Sequence, residues 1–242
     1  MQAVCSSQAW RNRETYNGGR MIVNYENRQQ IEAVIFDLDG TLLNTLCDLT
    51  DAVNWALEKY NLPQRSMDEV RSFVGNGLRN LMQQAVPGGE DNPVFESLFE
   101  MFREYYKTHC NIKTKPYEGI MELLEALKVR NIKMAIVSNK IDSGVKELNA
   151  IHFSEYVKVA IGEREGIGRK PEPDSVLEAL RLLEVDVAHA VYVGDSDVDI
   201  QTAKNAGVRC ISVSWGFRDE AFLTENGAEV IVNGPIELLE YL

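Results

Sequence analysis

The feature that most constrains this 242-residue chain is a recurring unit: a short apolar run that ends in a polar or acidic residue and a glycine or turn, then an amphipathic stretch. IEAVIFDLDG opens the series at residue 31, and IKMAIVSNK (132–140), VKVAIG (157–162), AVYVGDSD (190–197), VRCISVS (208–214) and AEVIV (228–232) repeat it. Runs apolar on both faces are the mark of strands buried in a parallel sheet, because alternation is needed only where one face meets water. The stretches between them, GIMELLEALKVR, SGVKELNAI, DSVLEALRLLE, DIQTAKNAG and PIELLEYL, place apolar residues at helical spacing. Strands alternating with helices predict βαβ units and a Rossmann-like α/β core, a parallel sheet with helices on both faces. An all-β fold is excluded, because hairpin dipeptides do not separate the strands.

One interval breaks the rhythm. More than ninety residues separate Asp37 from Ile132, far beyond one crossover helix. Leu46, Leu49, Val53, Leu57 and Tyr60 mark a first helix there. Ser66 and Glu69 form a capping-box pattern ahead of Val70, Phe73 and Val74. VGNG (74–77) turns the chain before Leu78, Leu81, Met82 and Ala85. Pro93 suits the first position of a last helix carrying Phe95, Leu98, Phe102 and Tyr105. We therefore expect an inserted α-helical cap at 44–116 and a core of 31–43 and 117–242. Helices that merely thicken the main layer are the less economical alternative. Residues 1–30 lack a signal-peptide apolar region and read as a disordered leader, or as sequence ahead of an initiator at Met21, outside the fold.

Composition removes whole classes of function. Twenty-five Lys and Arg face 37 Asp and Glu, a net charge of −12, so the global field repels nucleic acid and anionic lipid. No apolar run approaches the ~18 residues of a membrane span. Four cysteines, Cys5, Cys47, Cys110 and Cys210, form no CxxC pair and read as reduced thiols of a cytoplasmic protein. The three histidines, His109, His152 and His189, sit in unrelated contexts and read as surface or packing residues.

In an open α/β sheet, ligands bind beyond the carboxyl ends of the strands. Four segments fall there. Asp37-Leu38-Asp39-Gly40-Thr41 could direct two carboxylates into one site; a lone DxD is usually only a solvated turn. Ser138-Asn139 supplies a hydroxyl and an amide, by itself an ordinary helix start. Gly168 to Pro173 holds Lys170 between stiff backbone, and Gly194-Asp195-Ser196-Asp197-Val198-Asp199 places acids at a helix start, where simple capping is an equal reading.

Taken together and in this order, the four resemble the motifs of the haloacid dehalogenase superfamily: DLDGT the first, VSNK the second, Lys170 the third and GDSDVD the fourth. The resemblance spans residues 31–242, and FVGNGLRNLM and SWGFRDE are similar to its phosphoglycolate phosphatase branch. It implies a Mg²⁺-dependent phosphatase acting on a small phosphorylated metabolite, 2-phosphoglycolate first among candidates, through an aspartyl-phosphate intermediate. In that reading Asp37 is the nucleophile. Asp39 is the acid and then the base. Mg²⁺ is held by Asp37, the Asp39 carbonyl and Asp195, with Asp199 one step behind. Ser138 and Lys170 donate to the phosphoryl group, Gly40, Thr41 and Asn139 complete its pocket, and Gly77 and Arg79 of the cap reach the rest of the substrate. A sugar-phosphate mutase or pyrophosphatase of the same superfamily is the alternative within the class. A non-enzymatic phospho-acceptor module is the alternative outside it, disfavoured by Asp39 and the large insertion. No nucleic-acid or membrane partner is expected, and the assembly is a monomer or a homodimer.

Overall fold

A computed structural model describes residues 14–17, 20–23 and 30–242. The chain divides into two units, Met1–Gln30 and Ile31–Leu242. In the first, β1 (Glu14–Asn17) and β2 (Arg20–Val23) pair antiparallel. The remainder of the expected leader lies outside the described residues.

The second unit begins with β3 (Ala33–Phe36), whose residues are all buried. A short β4 (Leu43–Asn44) follows, and the chain then enters α1 (Leu46–Lys59), α2 (Met67–Phe73), α3 (Gly77–Ala85) and α4 (Phe95–His109). It returns through β5 (Lys115–Pro116), which pairs with β4 so that the way out and the way back are hydrogen-bonded to each other. Buried Asp48 braces the same return by accepting from the backbone N–H groups of Ile112, Lys113 and Thr114. Then come α5 (Ile120–Val129), β6 (Lys133–Ile141), α6 (Asp142–His152), β7 (Val159–Glu163), α7 (Asp174–Leu183), β8 (Ala190–Gly194), α8 (Asp197–Ala206), β9 (Arg209–Val213), α9 (Glu220–Glu225) and β10 (Ile231–Val232).

Six of these strands form one parallel sheet in the order β10-β9-β8-β3-β6-β7. Strand order runs outward from β3 in both directions, which makes its end the switch point where a crevice opens. Side chains alternate across β3. Val34 and Phe36 pack with Leu123, Leu127, Val145 and Leu148 of α5 and α6, and Ala33 and Ile35 pack with Val176, Leu180 and Ala203 of α7 and α8. The α/β class is as expected, with one difference at the end: PIELLEYL forms a six-residue 3₁₀ turn, Pro235–Glu240, rather than an α-helix.

The inserted helices have a core of their own, in which Leu49, Val53, Leu57, Val70, Leu81, Met82, Phe95, Leu98 and Phe102 are buried together with Phe217 from the α/β part. Ser66 and Glu69 close a reciprocal capping box at the start of α2, so both orphan donors of that turn are satisfied. Pro93 falls in the turn before α4 rather than on its first residue, with Val94 as N-cap.

Candidate active site

The pocket lies at the ends of β3, β6 and β8 and is also lined by residues of the inserted helices and their turns. Asp37 follows β3 directly; its N–H is still paired with Val193 O of β8 at 2.8 Å, which holds it at the carboxyl end of this central strand. Lys170 reaches it from the loop before α7, with Nζ 2.7 Å from Asp37 Oδ1, 2.7 Å from Asp199 Oδ1 and 3.0 Å from the Tyr192 hydroxyl. All four side chains are buried. Burial alone would discharge Lys170, but Asp199 and Asp37 outweigh it and hold the ammonium well above its usual range. Tyr192 also donates to Asp199 Oδ1, and Ser196 donates to Asp199 Oδ2, so both oxygens of Asp199 are engaged.

Asp195 is the third buried acid. Its Oδ2 accepts from Phe217 N–H at 2.6 Å and its Oδ1 from Thr41 Oγ1 at 3.3 Å. Two glycines let the loops close on it. Gly40 has φ +95°, and a Cβ there would lie 2.4 Å from Asp195 Oδ2; a Cβ on Gly216 would lie 2.3 Å from Asp195 Cβ. Burial, then repulsion from Asp199, pushes the Asp195 carboxyl up to about 7. Burial likewise raises Asp37, against the pull of Lys170.

Asp37, Asp195 and Asp199 present oxygens within 4.8 Å of one another. With Lys170 as the one cation bonded among them, these carboxylates concentrate more negative charge than their surroundings neutralise, and their donors are hard oxygens. That is the environment a small divalent cation stabilises, so the residues fit such an ion.

Asp39 also lines the pocket. Lys140 Nζ lies 3.1 Å from its Oδ1, and Ser138 Oγ is 3.5 Å from its Oδ2. Lys140 also donates to the hydroxyl of Tyr106, which comes from α4, at 2.8 Å. Burial opposes the charge on Lys140, yet Asp39 and Tyr106 hold it above the usual lysine range, while burial pushes the Tyr106 phenol up to about 12. Asn139 fixes the loop of Lys170, accepting from Lys170 N–H at 2.9 Å, and donates to Gly75 O of the insertion at 3.1 Å.

Asp37, Asp39, Ser138, Asn139, Lys170, Asp195 and Gly77 all line the cavity. Thr41 is fully buried behind Asp195, and Gly40 forms the turn beneath it. Arg79 is not brought to the pocket. It points away, into ion pairs with Glu90 and Glu96, and its guanidinium lies over the rings of Phe95 and Phe99. The arginine that does line the cavity is Arg218, which donates to the carbonyls of Arg71, Ser72 and Val74.

A sequence profile of haloacid dehalogenase-like hydrolases matches residues 34–213. The chain belongs to that family. Within these haloacid dehalogenase-like hydrolases, phosphoglycolate phosphatase of Aquifex aeolicus is 33% identical over 188 residues, 77% of this chain and 86% of its own. N-acetylmuramic acid 6-phosphate phosphatase of Pseudomonas aeruginosa is 30% identical over 217 residues, 89% of this chain and 96% of its own. A crystal structure from Lactobacillus delbrueckii subsp. bulgaricus, 35% identical, superposes with a TM-score of 0.84 and covers 88% of this chain and 98% of its own. No helix among the described residues is long and apolar enough to cross a membrane.

Four groups at the site escaped the sequence analysis: Lys140, Tyr106, Tyr192 and Arg218. Lys140 is the last residue of VSNK and was adjacent to a recognised position. Tyr106 closes an aromatic stripe that reads as helix core, and Arg218 follows SWGF in a loop with no periodicity to place it.

Proposed function

We propose that this chain hydrolyses phosphoric monoesters of small metabolites, with 2-phosphoglycolate the first candidate, through a phosphoaspartate on Asp37. The observation that carries the reading is a buried Asp37–Lys170–Asp199 triad, 2.7 Å at each Lys170 contact, in a cavity that a second aspartate, Asp39, also lines. A carboxylate that is fixed, desolvated and faced by an ammonium is poised for in-line attack.

In this reading Asp37 attacks phosphorus while Asp39 gives its proton to the departing alkoxide. Asp39 then takes a proton from the water that attacks the phosphoaspartate, releasing phosphate and restoring Asp37. Lys170 and Ser138 donate to the phosphoryl oxygens, and Lys170 offsets the charge on Asp37. Mg²⁺ held by Asp37, the Asp39 carbonyl and Asp195 would supply Lewis-acid charge neutralisation for the phosphoryl group. Asp199 acts through Lys170, and Thr41 through Asp195. Residues 44–116 act as a cap that excludes water while the phosphoaspartate forms.

The likeness to the phosphoglycolate phosphatase of Aquifex aeolicus favours 2-phosphoglycolate as the first candidate. A larger sugar phosphate is the second reading, motivated by the N-acetylmuramic acid 6-phosphate phosphatase relative. Steady-state kcat/KM over a panel of phosphorylated metabolites in Mg²⁺ tests the choice. The proposal expects 2-phosphoglycolate to head the panel; an amino-sugar 6-phosphate at the head would favour the second reading, and no phosphate release from any monoester would end both.

A further inference from the structure

The reaction above leaves one buried cation without a task. Lys140 lines the cavity, and only 6% of its side chain is exposed. An ammonium has three N–H donors. One goes to Asp39 Oδ1 and one to the Tyr106 hydroxyl, so the third has no acceptor among the described residues. The other cations on the cavity wall are occupied, Lys170 by Asp37 and Asp199, and Arg218 by three carbonyls of the inserted helices.

Position narrows what the spare donor can meet. As acid, Asp39 must come within ~2.6–3.2 Å of the leaving oxygen. Lys140 Nζ lies 3.1 Å from an oxygen of that same carboxylate. A group one or two bonds beyond the leaving oxygen can therefore come within reach of Lys140, and a buried ammonium favours an anion there over a neutral group. Tyr106 holds Nζ from the insertion side, so the receptor is complete only when α4 is in place over the core.

Building on the phosphatase reading, we infer that Lys140 is a specificity-determining residue that binds an anionic group carried close to the ester oxygen of the leaving alcohol. The substrate class is then the phosphate esters of 2-hydroxy acids and similarly short anionic alcohols. Neutral alcohols and long sugars, whose charge lies far from the ester, fall outside it.

The test compares 2-phosphoglycolate with 2-hydroxyethyl phosphate, which is close in size but lacks the carboxylate, on wild type, Lys140→Met and Lys140→Arg. A charge-assisted hydrogen bond is worth ~1.5–3 kcal/mol, so wild type should prefer phosphoglycolate by ~10–150-fold in kcat/KM. Lys140→Met should collapse that ratio toward one, and Lys140→Arg should retain part of it. Equal kcat/KM for the two esters in wild type overturns the inference even if Lys140→Met proves unfolded. A Met variant that lowers both by the same factor overturns it too, because Lys140 would then serve only to hold Asp39. Wild type that hydrolyses neither ester, nor any other monoester, instead defeats the phosphatase reading on which the inference stands.

Discussion

Asp37 of the core and Gly75 of the insertion line the same cavity, and the two parts present different materials. On the core side the contacts are made by charged side chains: Asp37, Asp195 and Asp199 around Lys170, and Asp39 against Lys140. On the insertion side they are made largely by backbone. Gly75 O accepts from Asn139, and the carbonyls of Arg71, Ser72 and Val74 accept from Arg218. The core side thus concentrates charge at fixed strand ends, where low dielectric magnifies each interaction. The insertion side uses neutral acceptors, which can be released and remade at modest cost.

The contrast predicts that substitutions hurt most on the core side. Asp37→Asn keeps the shape but removes the proposed nucleophile, and kcat should fall by several orders of magnitude with the circular dichroism spectrum unchanged. Retention of more than about a hundredth of wild-type kcat would place the nucleophile elsewhere.

Charge concentration on the core side also predicts a pH dependence of stability in the metal-free protein. The Asp195 carboxyl binds its proton more tightly in the folded chain, at about 7, than the ordinary 3.8 of an exposed one. The folded state is therefore favoured at low pH and loses that advantage as pH rises from about 4 to about 7, by up to ~4 kcal/mol at ~1.36 kcal/mol per unit. Denaturant unfolding of the metal-free protein should show this slope, and Asp195→Asn should flatten it. Added Mg²⁺ should stabilise more at pH 8 than at pH 5. A slope unchanged in Asp195→Asn would assign it to other groups.

The insertion side should respond more mildly. Arg218→Ala removes one guanidinium shared among three partly exposed carbonyls, and we expect a roughly tenfold fall in kcat/KM. Hydrogen exchange at Gly75 and Gly77 should quicken in that variant while Lys170 and Asp195 amides stay protected. Quickening at both places would mean that Arg218 supports the whole fold. Arg79→Ala sits at the end of the scale. Its guanidinium meets Glu90 and Glu96 on the exposed surface of the insertion, so kcat/KM for every monoester should match wild type. A selective loss on anionic esters would restore Arg79 as a substrate ligand.

The same contrast explains what the sequence made legible. Strand ends were readable because a short β-branched run buried on both faces leaves one place for its polar residue to go, as at Asp37 after AVIF and Asp195 after AVYVG. The shared site of Asp37, Lys170 and Asp199 was readable only through the family resemblance, since no periodicity brings residues so far apart in sequence together. Tyr192 sits inside a strand and reads as core, yet its hydroxyl closes the triad. The insertion side was hardest. Arg79 stands beside a glycine turn and invites a binding role, but its partners lie 11 and 17 residues along the chain in a loop and helix that no local pattern brings together. Contacts through the carbonyls of Val74 and Gly75 leave no mark on residue identity at all.

The central claim, covalent catalysis by Asp37, is tested most directly by trapping. Enzyme turning over 2-phosphoglycolate in Mg²⁺ is quenched in acid, digested, and its phosphorylated peptide located by mass spectrometry. The account predicts a phosphoryl group on Asp37 that forms within one turnover and accumulates when Asp39→Asn slows its hydrolysis. Phosphate found covalently on any other residue, or turnover with no phosphoenzyme in either form, would contradict it.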